Sequence, residues 1–277
     1  MRQDFYIRSA DGVTKLHCTL WQPEGEAKAV VQLVHGMGEQ LEGLEAFALY
    51  LNARGFAVIG QDLLGHGRSV RTPEDRGFFA EQGGLTILMK DLHHLTRMAK
   101  EYVPGKKVFL LGYRMGAFLA RCYSSLWGGD VDGMIAVETA SHGGRAPELG
   151  KWLSCMICRI KGSRFRSRMI SLLAADRNFF YTAGACHTLF TLTSRLAKGT
   201  DRDRIPRDLP IYIVAGPDDL NGAGSKDTLA VYNDMVRLGI RDLDLRFYEK
   251  NEGQELLHEA NREIVFADLA HWMEERS

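Results

Sequence analysis

Val108-Phe109-Leu110-Leu111-Gly112-Tyr113-Arg114-Met115-Gly116-Ala117-Phe118-Leu119-Ala120-Arg121-Cys122 is the stretch on which the fold is decided. Val108–Leu111 is a short apolar run of the kind that forms a buried strand, and Ala117–Cys122 has the composition of a helix start. Gly112 and Gly116 bracket the turn between them, which leaves room for a strained backbone that lifts its apex side chain above the sheet. A turn of this build ordinarily carries serine at its apex. Here the apex is Arg114, whose guanidinium stays protonated and offers no lone pair for attack on a carbonyl carbon.

Working outward, the same strand-then-loop pattern recurs. His35-Gly36-Met37-Gly38-Glu39 follows the strand expected at Val30–Val34, and Asp62-Leu63-Leu64-Gly65-His66-Gly67-Arg68-Ser69 follows one at Ala57–Gln61. Gly216-Pro217-Asp218-Asp219 follows one at Ile211–Ala215. Asp4–Ser9 and Lys15–Gln22 read as a hairpin around Asp11-Gly12, and Gly133–Val137 and Leu243–Tyr248 read as further strands. Glu42–Arg54, Leu85–Tyr102, Lys226–Leu238 and part of Glu255–Glu275 read as helices. Such alternation predicts an α/β fold: a mostly parallel central sheet covered by helices on both faces. Loops at the carboxyl ends of its strands form the ligand rim, so the four motifs are expected to meet there.

Residues 139–204 interrupt the alternation and are expected to form a short helical cap between a first core segment, 1–138, and a second, 205–277. From Lys151 to Arg168 the cap carries Lys151, Arg159, Lys161, Arg164, Arg166 and Arg168 and no acid. Trp152, Leu153, Met156, Ile157 and Ile160 fall at helical spacing. Two readings follow: a helix packed on the core with a solvated basic face, or a lid that touches anionic lipid or opens over an acyl chain. The first is preferred on sequence.

Composition narrows the function classes. The 277 residues are 45% hydrophobic and 25% charged, enough for a sizeable core. Thirty-five basic residues balance thirty-five acidic ones, which argues against a nucleic-acid partner. No run approaches the roughly 18 apolar residues of a membrane span, and Met1–Tyr6 lacks an apolar signal region. With five cysteines, an odd number, the expectation is a cytoplasmic protein with reduced thiols. Cys155-x-x-Cys158 lacks a second pair at metal-ligand spacing, so ordinary packing is expected, with no metal and no cofactor.

Taken together, the motifs resemble the α/β-hydrolase fold family, and within it the monoacylglycerol lipase and lysophospholipase-like branch, also called serine aminopeptidase-like. The resemblance covers nearly the whole chain and includes Glu255-Leu256-Leu257-x-Glu259-x-Asn261-Arg262-Glu263 near the end. In that family the elbow reads Gly-His-Ser-Met-Gly. By position, the resemblance puts the nucleophile at Arg114, the acid at Asp219 and the histidine at Gln254. It puts the oxyanion-hole amides at Met115 and Met37, with His35, Gly36 and Tyr113 beside them. Tyr113 replaces the elbow histidine, and Gln40 stands where the loop usually carries another.

The resemblance therefore implies a member that keeps the acid and the oxyanion loops without nucleophile or base. It leads to the expectation of a pseudoenzyme that binds a small, partly apolar ligand, acyl or anionic in character, beneath its cap. Two alternatives stand beside it: a residual ester hydrolase dependent on Asp219, and a scaffold whose pocket is plugged by Arg114, Tyr113 and Gln254. His258, one turn beyond Gln254, is a weaker candidate for a relocated base. Ser124 and Ser125 lie too far along their helix to serve as nucleophiles, and His35 and His66 are expected to brace their loops. A cation at a helix N-terminus calls for an anion beside it. Asp219 and a bound carboxylate or phosphate are the two candidates.

Overall fold

A computed structural model describes residues 1–139, 146–167, 181–216, 224–248, 256–258 and 262–277. Its centre is an eight-stranded sheet in the order β1-β2-β4-β3-β5-β6-β7-β8. The strands are β1 (Arg2–Arg8), β2 (Lys15–Trp21), β3 (Val30–Val34), β4 (Ala57–Gln61), β5 (Val108–Tyr113), β6 (Gly133–Val137), β7 (Ile211–Ala215) and β8 (Leu243–Phe247). β1 and β2 form the expected antiparallel hairpin, β2 joins β4 antiparallel, and every pairing from β4 to β8 is parallel. The parallel strands β3 to β7 are buried along their whole length, which is why they read as unbroken apolar runs rather than as alternating ones.

Helices cover both faces. On one side lie α1 (Glu45–Ala53) and α7 (Arg262–Glu274), whose Phe47, Leu51, Phe266 and Leu269 pack on Phe109, Leu111 and Tyr113. On the other lie α2 (Gly84–Tyr102), α3 (Met115–Trp127) and α6 (Gly224–Leu238). Leu88 and Leu92 of α2, Leu119 of α3 and Val231 of α6 meet Val108 and Leu110 there. The period-two alternation of β5 sends odd residues to the first layer and even ones to the second.

Between β6 and β7 stand two further helices, α4 (Ala146–Lys161) and α5 (Ala183–Ala197). They approach closely: a Cβ at Gly150 would lie 2.4 Å from the Phe190 ring. Ile157 and Cys158 pack with Tyr181, Ala183 and Cys186 between them. Below α4 the chain is sewn to the loop before α2. Arg164 pairs with Asp75 at 2.6 Å and Glu81 at 3.2 Å, Arg166 donates to the Glu74 and Arg76 carbonyls, and Thr182 Oγ1 donates to Gly77 O at 2.9 Å. The expected packing of this helix is met only in part. Leu149, Trp152 and Ile160 are 64%, 62% and 70% exposed, so much of the apolar stripe of α4 faces solvent beside Arg159 and Lys161 rather than the core.

The β5–α3 turn is the tightest join in the sheet. A Cβ at Gly112 would fall 2.1 Å from Gly116 O, and one at Gly116 would fall 2.0 Å from Val34 O. Both clashes are with backbone, which cannot rotate away. Gly116→Ala is therefore expected to lower the unfolding free energy by about 3 kcal/mol in urea denaturation. Gly129→Ala, where an added Cβ meets nothing within 4 Å, is expected to change it by less than about 0.5 kcal/mol.

Candidate functional site

Arg114 stands at the apex between β5 and α3 with φ 53° and ψ −113°, a region that costs a non-glycine residue about 1–3 kcal/mol. The surroundings impose it. Arg114 N donates to Val137 O at 2.9 Å, and Ala117 N donates to Arg114 O at 3.0 Å, fixing the turn from both sides. The glycines that flank it allow no wider path.

The anion called for beside Arg114 is supplied by the protein. Its guanidinium Nη1 lies 3.4 Å from Glu39 Oε1 and its Nε lies 3.8 Å from Glu138 Oε2. Glu39 closes the His35–Glu39 loop, where its other oxygen accepts Gly36 N at 2.9 Å. Glu138 is the residue after β6, is 1% exposed, and has φ 55°. Its Oε1 accepts Leu256 N at 2.9 Å. A buried carboxylate is tolerable only when hydrogen-bonded and matched by charge, and Arg114 contributes to that match. Asp219 and Gln254 lie outside the described residues.

The loops on either side are held by two neutral histidines. His35 Nε2 accepts Leu63 N at 3.0 Å while its Nδ1 donates to Gly36 O at 2.7 Å. His66 Nε2 accepts Gly38 N at 3.1 Å while its Nδ1 donates to Leu64 O at 2.9 Å. Each ring must accept at Nε2, so each carries its proton on Nδ1. Burial disfavours the imidazolium in both; it pulls His35 down, and His66 down to about 3, with His35 adding to the latter. Asp62 anchors the second loop by accepting Leu41 N at 2.8 Å, Arg68 N at 2.9 Å and His17 Nδ1 at 3.0 Å.

Met115 N is the first amide of α3 and Met37 N belongs to the His35–Glu39 loop. Neither amide donates to a backbone acceptor among the described residues. The Met37 side chain packs against the Tyr181, Ala183 and Cys186 cluster, joining the loop to the cap. Tyr113 is fully buried on the α1 and α7 side of the sheet. The half-buried His258 ring lies edge-on to it, with centroids 5.3 Å apart. Ser124 and Ser125 donate down their own helix, to Ala120 O at 3.0 Å and Cys122 O at 2.8 Å. Burial pushes the Cys122 thiol up to about 11 and Cys186 up to about 12, which suppresses thiolate at neutral pH.

Two residues of this cluster went unassigned by sequence reasoning. Glu39 sits inside a quoted motif, but nothing in the motif pairs it with position 114. Glu138 had one usable signal: an acid directly after an apolar strand that neighbours β5. No metal-holding group of three or more His, Cys, Asp or Glu side chains occurs among the described residues, and no helix there is long and apolar enough to cross a membrane.

A sequence profile described as Serine aminopeptidase, S33 matches residues 25–220. The monoglyceride lipase of Homo sapiens is 32% identical over 134 residues, 48% of this chain and 42% of that protein. The monoacylglycerol lipase of Mycolicibacterium smegmatis is 26% identical over 140 residues, 50% and 48%. The alignments thus span less than half the length of these relatives. Among solved structures, a thermostable carboxyl esterase from Bacillus coagulans superposes with TM-score 0.85 at 19% identity, over 99% of this chain and 98% of that one. A monoglyceride lipase variant from Saccharomyces cerevisiae gives 0.77 at 15%, over 99% and 95%. At such identities the superpositions carry the fold alone.

The histidine braces predict a pH response. Both rings are expected to stay neutral with the proton on Nδ1 at pH 5, read from imidazole 15N–1H correlations. On unfolding, each returns to about 6.5 and takes up a proton. The His66 contribution to stability is therefore present above about 6.5 and is lost as pH falls toward about 3, and the His35 contribution is lost in the same direction.

Proposed function

Because the chain belongs to the serine aminopeptidase family, whose elbow presents a nucleophilic serine, we propose that it is a member that binds at the elbow instead of hydrolysing. The observation that supports this most strongly is Arg114, seated at the apex in the strained conformation and held between Glu39 and Glu138. A protonated guanidinium there fills the nucleophile's position without offering an electron pair. Gln254, which the alignment of motifs puts at the histidine position, cannot relay a proton as imidazole does. Loss of either group in a serine triad costs on the order of a million-fold in turnover.

The ligand in this reading is small and partly apolar, lying beneath the cap. Its polar group takes the Met37 and Met115 amides, and an anionic group would compete with Glu39 for Arg114. Glu39 is the replaceable partner, because its side chain is 19% exposed and Glu138 is 1% exposed. The resulting selectivity favours a ligand with one carbonyl or one carboxylate over a polyanion, which would meet both glutamates. The opposing reading, a scaffold plugged by its own ion cluster, rests on the same clamp. The two differ in whether Glu39 lets go.

Hydrolysis of nitrophenyl esters and monoacylglycerols separates the alternatives. The native chain and Asp219→Ala are expected to match the buffer blank, and turnover abolished by Asp219→Ala would overturn the proposal. Arg114→Ser with Gln254→His is expected to gain measurable esterase activity, provided that a thermal melt shows the variant folded. Inertness of that folded variant would mean that the pocket no longer accepts an ester.

The exposed apolar and basic face of α4 supports peripheral contact with an anionic lipid surface. Co-sedimentation with anionic phospholipid vesicles is expected to exceed that with zwitterionic ones and to fall in Trp152→Ala. Equal sedimentation with both would remove the cap from the account.

A further inference from the structure

A cavity of 330 Å³ opens on the flank of the sheet, among the β1–β2 turn, the loop after β4, the segment before α2 and the neck of the cap. None of the residues assigned to the elbow lines it. Leu64, Phe79 and Ile87 give it an apolar lining, and the exposed Val13, Arg71 and Arg164 line it as well. The volume is that of a small-molecule pocket.

The charged side chains of the lining are unequal in what they still offer. Asp75 accepts from Arg71 Nε at 3.1 Å and from Arg164 Nη1 at 2.6 Å. Glu81 takes Arg164 Nε at 3.2 Å and the Ser163 hydroxyl. Asp11 is consumed by its own turn, accepting Val13 N and Thr14 N at 2.8 Å each and the Thr14 hydroxyl. Arg164 is further committed by lying 3.9 Å over the Phe78 ring. Arg71 spends one of its five N–H groups on Asp75, and its side chain is 45% exposed. The carboxylates that line the cleft are met by protein donors, whereas Arg71, which lines it together with Leu64, Phe79 and Ile87, has N–H groups beyond the one given to Asp75.

We propose that this cleft is a second ligand site, for a small amphiphile whose acyl or aryl body lies on Leu64, Phe79 and Ile87 and whose carboxylate pairs with Arg71. The site is separate from the elbow and stands whether the elbow binds or hydrolyses. It is also coupled to it by one wall. The Phe79 ring stacks on His66, with centroids 5.8 Å apart and planes 28° apart, and His66 accepts the Gly38 amide of the oxyanion loop. Ligand pressing on Phe79 therefore acts on the residue that holds the loop.

The test is a titration of the full chain with octanoate, followed by backbone 15N–1H spectra. Saturable shifts are expected at the Val13, Ala80 and Ile87 amides, with a smaller change at Gly38. Arg71→Ala is expected to weaken octanoate about tenfold and to leave 1-octanol, which lacks the carboxylate, almost unaffected. Val13→Trp, a change at a 65% exposed turn position that does not endanger folding, is expected to abolish both. Shifts at residues 112–116 report the elbow; if they occur without shifts at Val13, Ala80 and Ile87, octanoate binds only there and the proposal is overturned. The absence of saturable shifts, or an octanoate affinity indifferent to Arg71→Ala, would overturn it as well.

Discussion

The approach of three backbone segments to within contact distance controls the rest of this molecule. The end of β3, the end of β5 and the first turn of α3 meet where neither Gly112 nor Gly116 could carry a Cβ. That proximity leaves residue 114 a single path, through a backbone region that a free chain avoids. Met37 follows β3 and Met115 opens α3, so both amides belong to segments that this packing brings together. Packing thus positions the site before any polar contact is made, and the hydrogen bonds of His35, His66 and Asp62 then lock the loops in that arrangement.

Charge is arranged around that geometry to suit the residue present. An arginine at a helix N-terminus works against the helix field. Glu39 and Glu138 reverse the local sign, and Arg114 in turn makes the burial of Glu138 tolerable. The cluster is mutual, so single charge removals from it unbalance what remains. The neutral histidines complement this economy, because they hold loops without adding to the charge the site must accommodate.

Much of the fold was legible in the sequence. Val30–Val34, Ala57–Gln61, Gly133–Val137 and Ile211–Ala215 were readable to the residue, because parallel strands buried on both faces are short apolar runs with sharp polar borders. The elbow was legible from two glycines around a single turn, and the bracing roles of His35 and His66 from their loops. The partners of Arg114 were not. Glu39 is 75 residues away and Glu138 is 24, and their convergence depends on β3 and β6 flanking β5, which no local pattern encodes. Nor was the orientation of α4 readable: periodicity marks an apolar stripe but not the direction it faces, and here Trp152 and Ile160 point outward.

The strained apex has one more consequence. Its conformation is set by the glycines and the strand ends around it, which accommodate a bulky arginine at the apex. The position behaves as a socket. Whatever is placed there is projected from the same point, between the same strand ends. Exchanging one function for another at such a point asks nothing of the fold and everything of the few charges that line the socket.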